Sequence, residues 1–195
     1  SCLVIFGADN FFITQACGPA AVTTYNIAYK FFNLLVIAYT IVLAPMWNAY
    51  TDAYVKGDML WIRATFRKAL LMWGLSVLGG AVMLALCNTF YKLWVGSMVE
   101  VPLSVSLCTL VYVCFFNLNN CVTYLINGLN KIFVQIIISL AVTALYIISV
   151  YAIGGKLGIE GIVLSMAASY AVMSAVHLYQ CYLLIGNKAN GIWNK

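Results

Sequence analysis

The sequence predicts an all-α, polytopic integral membrane protein in which residues 1–195 form one bundle of six transmembrane helices. Two properties support this fold class: 65% of the residues are hydrophobic and only 8% are charged, whereas soluble domains carry about 25% charged residues. So few charges cannot cover the surface of a water-soluble globule. Long apolar runs also recur along the chain, separated by segments with glycine, proline or charged residues. We therefore expect lipid to surround most of the protein.

Six apolar runs are candidate spans, because a helix needs about 20 mostly apolar residues to cross the hydrocarbon core. The first ends at Gly18 and Pro19, a pair that stops helices, and the second has Pro45 near its end. The fourth begins at Pro102, since proline suits the first helical turn, and the fifth closes at residues 154–155. The predicted bounds are 3–17, 21–46, 69–91, 102–127, 132–153 and 159–185.

The start of the chain differs from that of a complete membrane protein. Ser1 already lies inside an apolar run and no basic segment precedes it, which is not the pattern of a signal peptide. We expect the chain to be a piece of a longer polypeptide, with its first span clipped.

The basic residues predict the orientation of the spans, because Lys and Arg favour cytoplasmic loops. Only Lys92 and Lys156 follow the third and fifth spans. Seven others follow the second, fourth and sixth spans: Lys56, Arg63, Arg67, Lys68, Lys131, Lys188 and Lys195. We therefore expect a multi-pass protein whose C-terminus lies in the cytoplasm, as does the start of this chain.

Residues 58–68, with the sequence DMLWIRATFRK, are predicted to form a short cytoplasmic helix in the headgroup layer of the membrane. Asp58 is a suitable N-cap, and apolar residues share one face while Arg63 and Arg67 share another. Such a helix directs its arginines toward anionic lipid phosphates. An ordinary topological anchor is the alternative interpretation.

Several function classes find no support in the sequence. Its seven cysteines lie singly in apolar surroundings without the spacing of a metal site, so we interpret them as packing residues and expect no cofactor. No basic run interleaved with aromatic residues indicates nucleic-acid binding. The five acidic residues form no carboxylate cluster, and His177 is interpreted as a packing or capping residue. The sequence therefore does not predict an enzyme.

Lys30 is the only charged residue in the second span. On a helix with about 100° per residue, Asn26, Lys30 and Asn33 fall on one face, which Thr40 continues. An ionisable residue at membrane depth is by default a candidate for function. This polar face is the first candidate for a substrate-binding surface.

The fourth and fifth spans also carry polar residues along one side. Polar groups in lipid need partners or water, so these stripes predict a shared hydrated cavity that binds substrate. Hydrogen bonds between helices, worth about 1 kcal/mol each, are the alternative. The complete predicted set is Lys30, Asn26, Asn33, Asn117, Asn120, Tyr124, Asn127 and Gln135.

Asp9 is a candidate partner for Lys30. Asp9 precedes Gly18 by nine residues and Lys30 follows it by twelve, so a rise of 1.5 Å per residue places both roughly 13–18 Å from that turn. This depth is close to the middle of a core about 30 Å thick. We expect an ion pair that is either permanent or opened by an anionic ligand, and Asp9 is also a candidate for ion coupling.

Four motifs together resemble those of the polysaccharide (O-antigen type) flippases. They are YNIAYK at 25–30, APMWNAYTDAYVKGD at 44–58, YKLWVG at 91–96 and YLINGLNKI at 124–132. Each motif is short, but their order and spacing together are fairly specific, and the resemblance runs over nearly the whole chain. The flippases belong to the superfamily of multidrug, oligosaccharidyl-lipid and polysaccharide exporters.

The resemblance implies a MATE-like fold of two six-helix bundles that rock around a central cavity. This chain would be the C-terminal bundle, and its first partner would be the missing N-terminal half of the same polypeptide. The resemblance also assigns Lys30 to an anionic headgroup in the cavity. Because this bundle has one intramembrane cation, further basic residues would come from the other half.

The implied function is to flip an oligosaccharide on a polyprenyl pyrophosphate carrier from the cytoplasmic to the periplasmic leaflet of the bacterial inner (plasma) membrane, by alternating access, for surface polysaccharide biosynthesis. Membrane lipids, the lipid-linked oligosaccharide and a polysaccharide polymerase are candidate partners. A cation-coupled multidrug exporter of the same superfamily is one alternative. A structural subunit without transport activity is another.

Overall fold

A computed structural model describes the backbone of residues 2–96 and 99–195 and the side chains of residues 10–96, 99–152 and 157–195. This part of the chain is all-helical, as predicted. A π-helix, Val150–Gly154, connects the last two long helices, and a 3₁₀ turn, Gly191–Asn194, follows them. The α-helices are α1 (Cys2–Cys17), α2 (Pro19–Val55), α3 (Met59–Trp94), α4 (Leu103–Gly128), α5 (Phe133–Ser149) and α6 (Gly155–Ile185).

Five helical segments are long and apolar enough to cross a membrane: those of α2, α3, α4, α5 with part of its π-helical extension, and α6. This number and the absence of strands among the described residues fit a polytopic membrane bundle. These features are those of a multi-pass membrane protein.

Two of the helices extend beyond the predicted bounds. α2 continues through Pro45 to Val55, well past the expected end at residue 46. Residues 59–68, expected as a separate helix, are instead the first turns of α3. The Asp58 side chain caps this helix by accepting a hydrogen bond from the backbone N–H of Trp61 at 2.9 Å. Residues 59–73 contain neither proline nor glycine, so the helix continues past Lys68; a position in the headgroup layer stays a prediction.

Glycines with positive φ mark two of the chain reversals. Gly18 (φ 86°) separates α1 from α2, and Pro19 occupies the first turn of α2. Proline is tolerated there because a backbone N–H in the first turn would have no partner within the helix. Gly158 (φ 63°) interrupts the start of α6. Both breaks lie at or near the glycine and proline signals in the sequence, because such backbone conformations strain residues that carry a Cβ.

α4 is the centre of the bundle, and it packs along α6, α2 and α3. In its most apolar segment 67% of the residues are buried, compared with 11% for α3 and 22% for α5. α3 and α5 are therefore peripheral helices with many large apolar side chains exposed on the surface of the described bundle.

Hydrogen bonds between helices supplement this packing. Association in lipid depends on close packing and such bonds, because burial from water contributes little there. They include four in which a side chain donates to a backbone carbonyl of another helix: Tyr39 Oη to Ala69 at 2.8 Å, Thr51 Oγ1 to Gly128 at 2.9 Å, Trp73 Nε1 to Cys114 at 2.8 Å and Ser174 Oγ to Phe115 at 3.3 Å.

The turns and helix ends at one end of the bundle carry most of its basic side chains. The side chain of Arg63 donates to the Ile185 carbonyl, and that of Lys131 donates to the Asn194 carbonyl, so these segments are in contact. We call this the basic end; it includes Lys56, Arg63, Arg67, Lys68, Lys131, Lys188 and Lys195.

α2 and α4 approach each other closely at Gly128. A Cβ on Gly128 would lie 2.6 Å from the Tyr50 Cβ and 3.1 Å from the Trp47 carbonyl oxygen. The backbone of α2 would have to shift to accept this atom, because neither neighbour is the end of a flexible side chain. The lack of a Cβ at Gly128 therefore permits α2 and α4 to lie this close together here.

We expect Gly128→Ala to destabilise the bundle by about 1–3 kcal/mol, the range for overpacking a tight contact. Gly74→Ala is the matched control, because Gly74 is also inside a helix and an added Cβ would meet nothing within 4 Å. Thermal unfolding of the detergent-solubilised protein measures both. Equal stability of the two variants would show that the α2–α4 contact tolerates the extra atom.

Candidate functional site

Lys30 lies on the face of α2 that is turned away from the rest of the described bundle. Lys30 is exposed, and Asn26 and Asn33, one turn to either side, are half-buried. The opposite face packs inward, with Phe32 fully buried and Leu43 only 1% exposed. The cation and two amides thus form a polar patch on an outward surface of a membrane-spanning helix.

Lys30 has neither a hydrogen bond nor an ion pair with any side chain that the structure describes. The ion pair found among those side chains joins Lys56 to Asp52 at 2.7 Å, and both are exposed. The side chain of Asp9 lies outside the described residues. The expected Asp9–Lys30 pair therefore stays a prediction.

The polar residues of α4 do not all have the same surroundings. Asn117 is buried, and its Nδ2 donates to the backbone carbonyl of Leu35 on α2 at 3.4 Å. This is a hydrogen bond between helices, the alternative considered for the polar stripes. Asn120, Tyr124 and Asn127 are half-buried.

Tyr124 extends the α4 stripe toward α2. Its ring packs edge-on against Trp47 at 6.1 Å between centroids. Trp47 is partly exposed, so this part of the stripe remains near the surface of the bundle.

Gln135 lies apart from the polar face of α2. It is half-buried on α5, which packs mainly against α6. Its Oε1 is buried without a hydrogen-bond partner among the described residues. The packing of α5 therefore gives no contact that would place Gln135 beside Lys30.

Lys30 is exposed and lines none of five cavities that the described residues form. Five cavities of about 170–600 Å³ open on their surface, and none of the five is lined by a member of the predicted substrate-binding set. A hydrated cavity at Lys30 would therefore need a second surface facing α2.

Sequence reasoning did not identify a buried polar pair between α4 and α6. His177 Nδ1 lies 3.0 Å from Asn119 Oδ1, and both residues are buried. An amide oxygen only accepts, so Nδ1–H of the imidazole is the donor. His177 Nε2 has no partner in the described part of the chain. The sequence gives little signal for this pair, because each of the two residues is one of several polar residues on its helix.

The exposure of Lys30 can be tested with thiol reagents, using the parent chain as the blank for its native cysteines. We expect Lys30→Cys to react with a membrane-impermeant maleimide, because thiolates form only where water reaches them. Leu78→Cys is the control for a lipid-facing position, since Leu78 is 64% exposed on the peripheral helix α3, and it should stay unreactive. An unreactive Lys30→Cys would indicate that this face of α2 contacts lipid.

The comparison with curated proteins agrees with the resemblance to polysaccharide flippases. The chain is 24% identical over 195 residues to a protein named "Putative O-antigen transporter" from Salmonella typhimurium. The match covers 95% of this chain and 44% of that protein, so the chain spans less than half the length of this relative. No family model and no solved structure matches the chain.

Proposed function

We propose that this chain forms one bundle of a transporter that flips a polyprenyl-pyrophosphate-linked oligosaccharide from the cytoplasmic to the periplasmic leaflet by alternating access. The similarity to a protein named as an O-antigen transporter supports polysaccharide transport rather than an enzymatic reaction. The apolar, multi-helix architecture suits a substrate that crosses the bacterial inner membrane for surface polysaccharide biosynthesis.

The position of Lys30 is the observation that carries this proposal. A lysine near the centre of a membrane helix costs about 2.5–3.5 kcal/mol for insertion. On α2 this cation is exposed and has no ion-pair partner in the described part of the chain. A pyrophosphate supplies the opposite charge, and charge-assisted hydrogen bonds to it are stronger than neutral ones. We infer that the ammonium group binds the pyrophosphate during transport.

The neighbours of Lys30 suit the sugar part of the substrate. Asn26 and Asn33 each carry an amide that can donate and accept hydrogen bonds, as sugar hydroxyls do. Both side chains are half-buried, so they are held by the bundle yet open on one side. Moving sugar hydroxyls out of water without such replacement bonds would cost several kcal/mol.

A second bundle would complete the site. α2 presents its polar face outward, and the relative is more than twice as long as the matched chain. Transporters built from two bundles place their substrate at the interface between them. We propose that the N-terminal half of the same polypeptide faces Lys30, adds further cations and encloses the cavity.

We expect Lys30→Ala to reduce surface polysaccharide by at least about tenfold, because losing one charged hydrogen-bonding group costs about 1.5–3 kcal/mol. Lys30→Arg should retain part of the activity, since it keeps the charge. Immunoblotting of surface polysaccharide measures the effect, together with the amount of inserted protein.

Lys92→Ala is the matched control for the loss of one positive charge. Lys92 is also exposed, but it lies near the end of α3 that is opposite the basic end, and the variant should export normally. Normal export by Lys30→Ala at equal protein levels would assign Lys30 a structural role and contradict the proposal.

Asp9 is proposed as the ion-coupling residue. We expect Asp9→Asn to weaken the dependence of transport on the ion gradient more than it weakens substrate binding, because the neutral amide has no negative charge to attract a cation and no acidic proton to release. Transport into vesicles with and without an imposed gradient measures this dependence. A gradient response equal to that of the parent protein would rule out this role.

A further inference from the structure

A surface groove lies between the first half of α3 and the last turns of α6, apart from the polar face of α2. Two adjoining cavities of about 390 and 600 Å³ form it. They share Arg67, Leu70 and Leu178, so they form one continuous groove. We call it the α3–α6 groove.

The mouth of the groove is strongly basic. Arg63 and Arg67 are exposed and lie one helical turn apart on α3. Arg63 Nη2 donates to the carbonyl of Ile185 near the end of α6 at 3.1 Å, which holds its guanidinium at the groove. Lys188 Nζ lies 6.0 Å from the ring centre of Tyr182, another residue of the groove wall.

These cations have no carboxylate partner among the described residues. The two acidic residues near this end are Asp52 and Asp58. Asp52 pairs with Lys56 at 2.7 Å, and Asp58 caps α3 through the N–H of Trp61 at 2.9 Å. The guanidinium groups therefore present uncompensated positive charge, which an anionic ligand would complement.

The depth of the groove matches that of a phospholipid. α3 has 36 residues and is therefore about 54 Å long, which exceeds the hydrocarbon thickness of about 30 Å. The arginines lie in its first three turns, and an apolar run follows. We therefore expect the cations to lie at headgroup level and the deeper wall, formed by Leu70, Trp73, Leu118 and Leu178, to lie at acyl-chain level.

We propose that the α3–α6 groove binds one anionic phospholipid. Its phosphate contacts Arg63 and Arg67, and one acyl chain lies along Leu70 and Leu178. A free phosphate ion would leave the apolar wall uncovered, and a zwitterionic lipid, whose own cation offsets its phosphate, would leave the charge of the arginines uncompensated. The bound lipid connects the start of α3 to the end of α6. This proposal does not depend on the proposed transport function.

Native mass spectrometry of the protein at its full natural length, with added phosphatidylglycerol, tests the proposal. We expect Arg67→Gln to weaken binding by about tenfold, as for the loss of one charged hydrogen-bonding partner. Lys68→Gln is the matched control, because Lys68 is the next residue, is also exposed and does not line the groove. It should bind phosphatidylglycerol as the parent does. Equal losses in both variants would show non-specific attraction and overturn the proposal.

A second variant tests the apolar wall without changing the charge. We expect Leu178→Trp to fill the groove and reduce phosphatidylglycerol binding, while phosphatidylcholine should bind weakly to every variant. Excess inorganic phosphate should not displace the bound lipid, because it cannot fill the apolar part. Displacement by inorganic phosphate, unchanged binding in Leu178→Trp, or preferential retention of a polyprenyl phosphate would each contradict the assignment.

Discussion

Inside a bilayer little water is available to satisfy polar groups, so a buried donor or acceptor that finds no partner within the protein is costly. α4 shows how this constraint organises the bundle. Its Asn117 donates to a carbonyl of α2, its Asn119 accepts from His177 of α6, and its Ser106 shares a hydrogen bond with Tyr91 of α3. The central helix is thus tied to three neighbours by bonds that lipid would not replace.

Lys30 differs from these residues, because its side chain is exposed and forms no ion pair with any side chain that the structure describes. It lies twelve residues beyond the turn at Gly18, about 18 Å along α2, whereas a lysine side chain reaches only about 6 Å toward an interface when it snorkels. Its ammonium group at this depth therefore needs an anion or a hydrated space. Because Lys30 lies on the outward face of α2, the packed interior of the described bundle cannot supply the anion or the hydrated space.

Local sequence signals account for the parts of the fold that could be predicted. Composition indicated a membrane protein, and Gly18 with Pro19 marked a helix boundary, because these effects act within a few residues. The sequence did not predict that α3 begins at residue 59. The amphipathic pattern of residues 58–68 was assigned to the membrane surface and the apolar run of 69–91 to a span, but no proline or glycine separates them and they form one helix. α2 also extends further than predicted, because Pro45 does not end the helix, which continues to Val55.

The surroundings of the candidate site residues depend on packing between helices that are distant in sequence. The periodicity of polar residues along one helix could not predict that packing. Helical periodicity alone places Asn26, Lys30 and Asn33 on one face of α2, so the sequence was sufficient to predict this stripe. The placement of Asn117 against Leu35, and of Gln135 on a helix packed against α6, depends on how whole helices associate. Polar periodicity shows which residues share a face, but it does not show which neighbour that face meets.

The most direct measurement of the central claim is an experimental structure of the full-length protein in a lipid nanodisc, with ordered water and lipid resolved. The account predicts that the Lys30 ammonium group lies in an aqueous space between this bundle and a second one, at a distance that allows contact with a phosphate. A Lys30 side chain surrounded by acyl chains, or paired with Asp9 in a site that no water reaches, would contradict it.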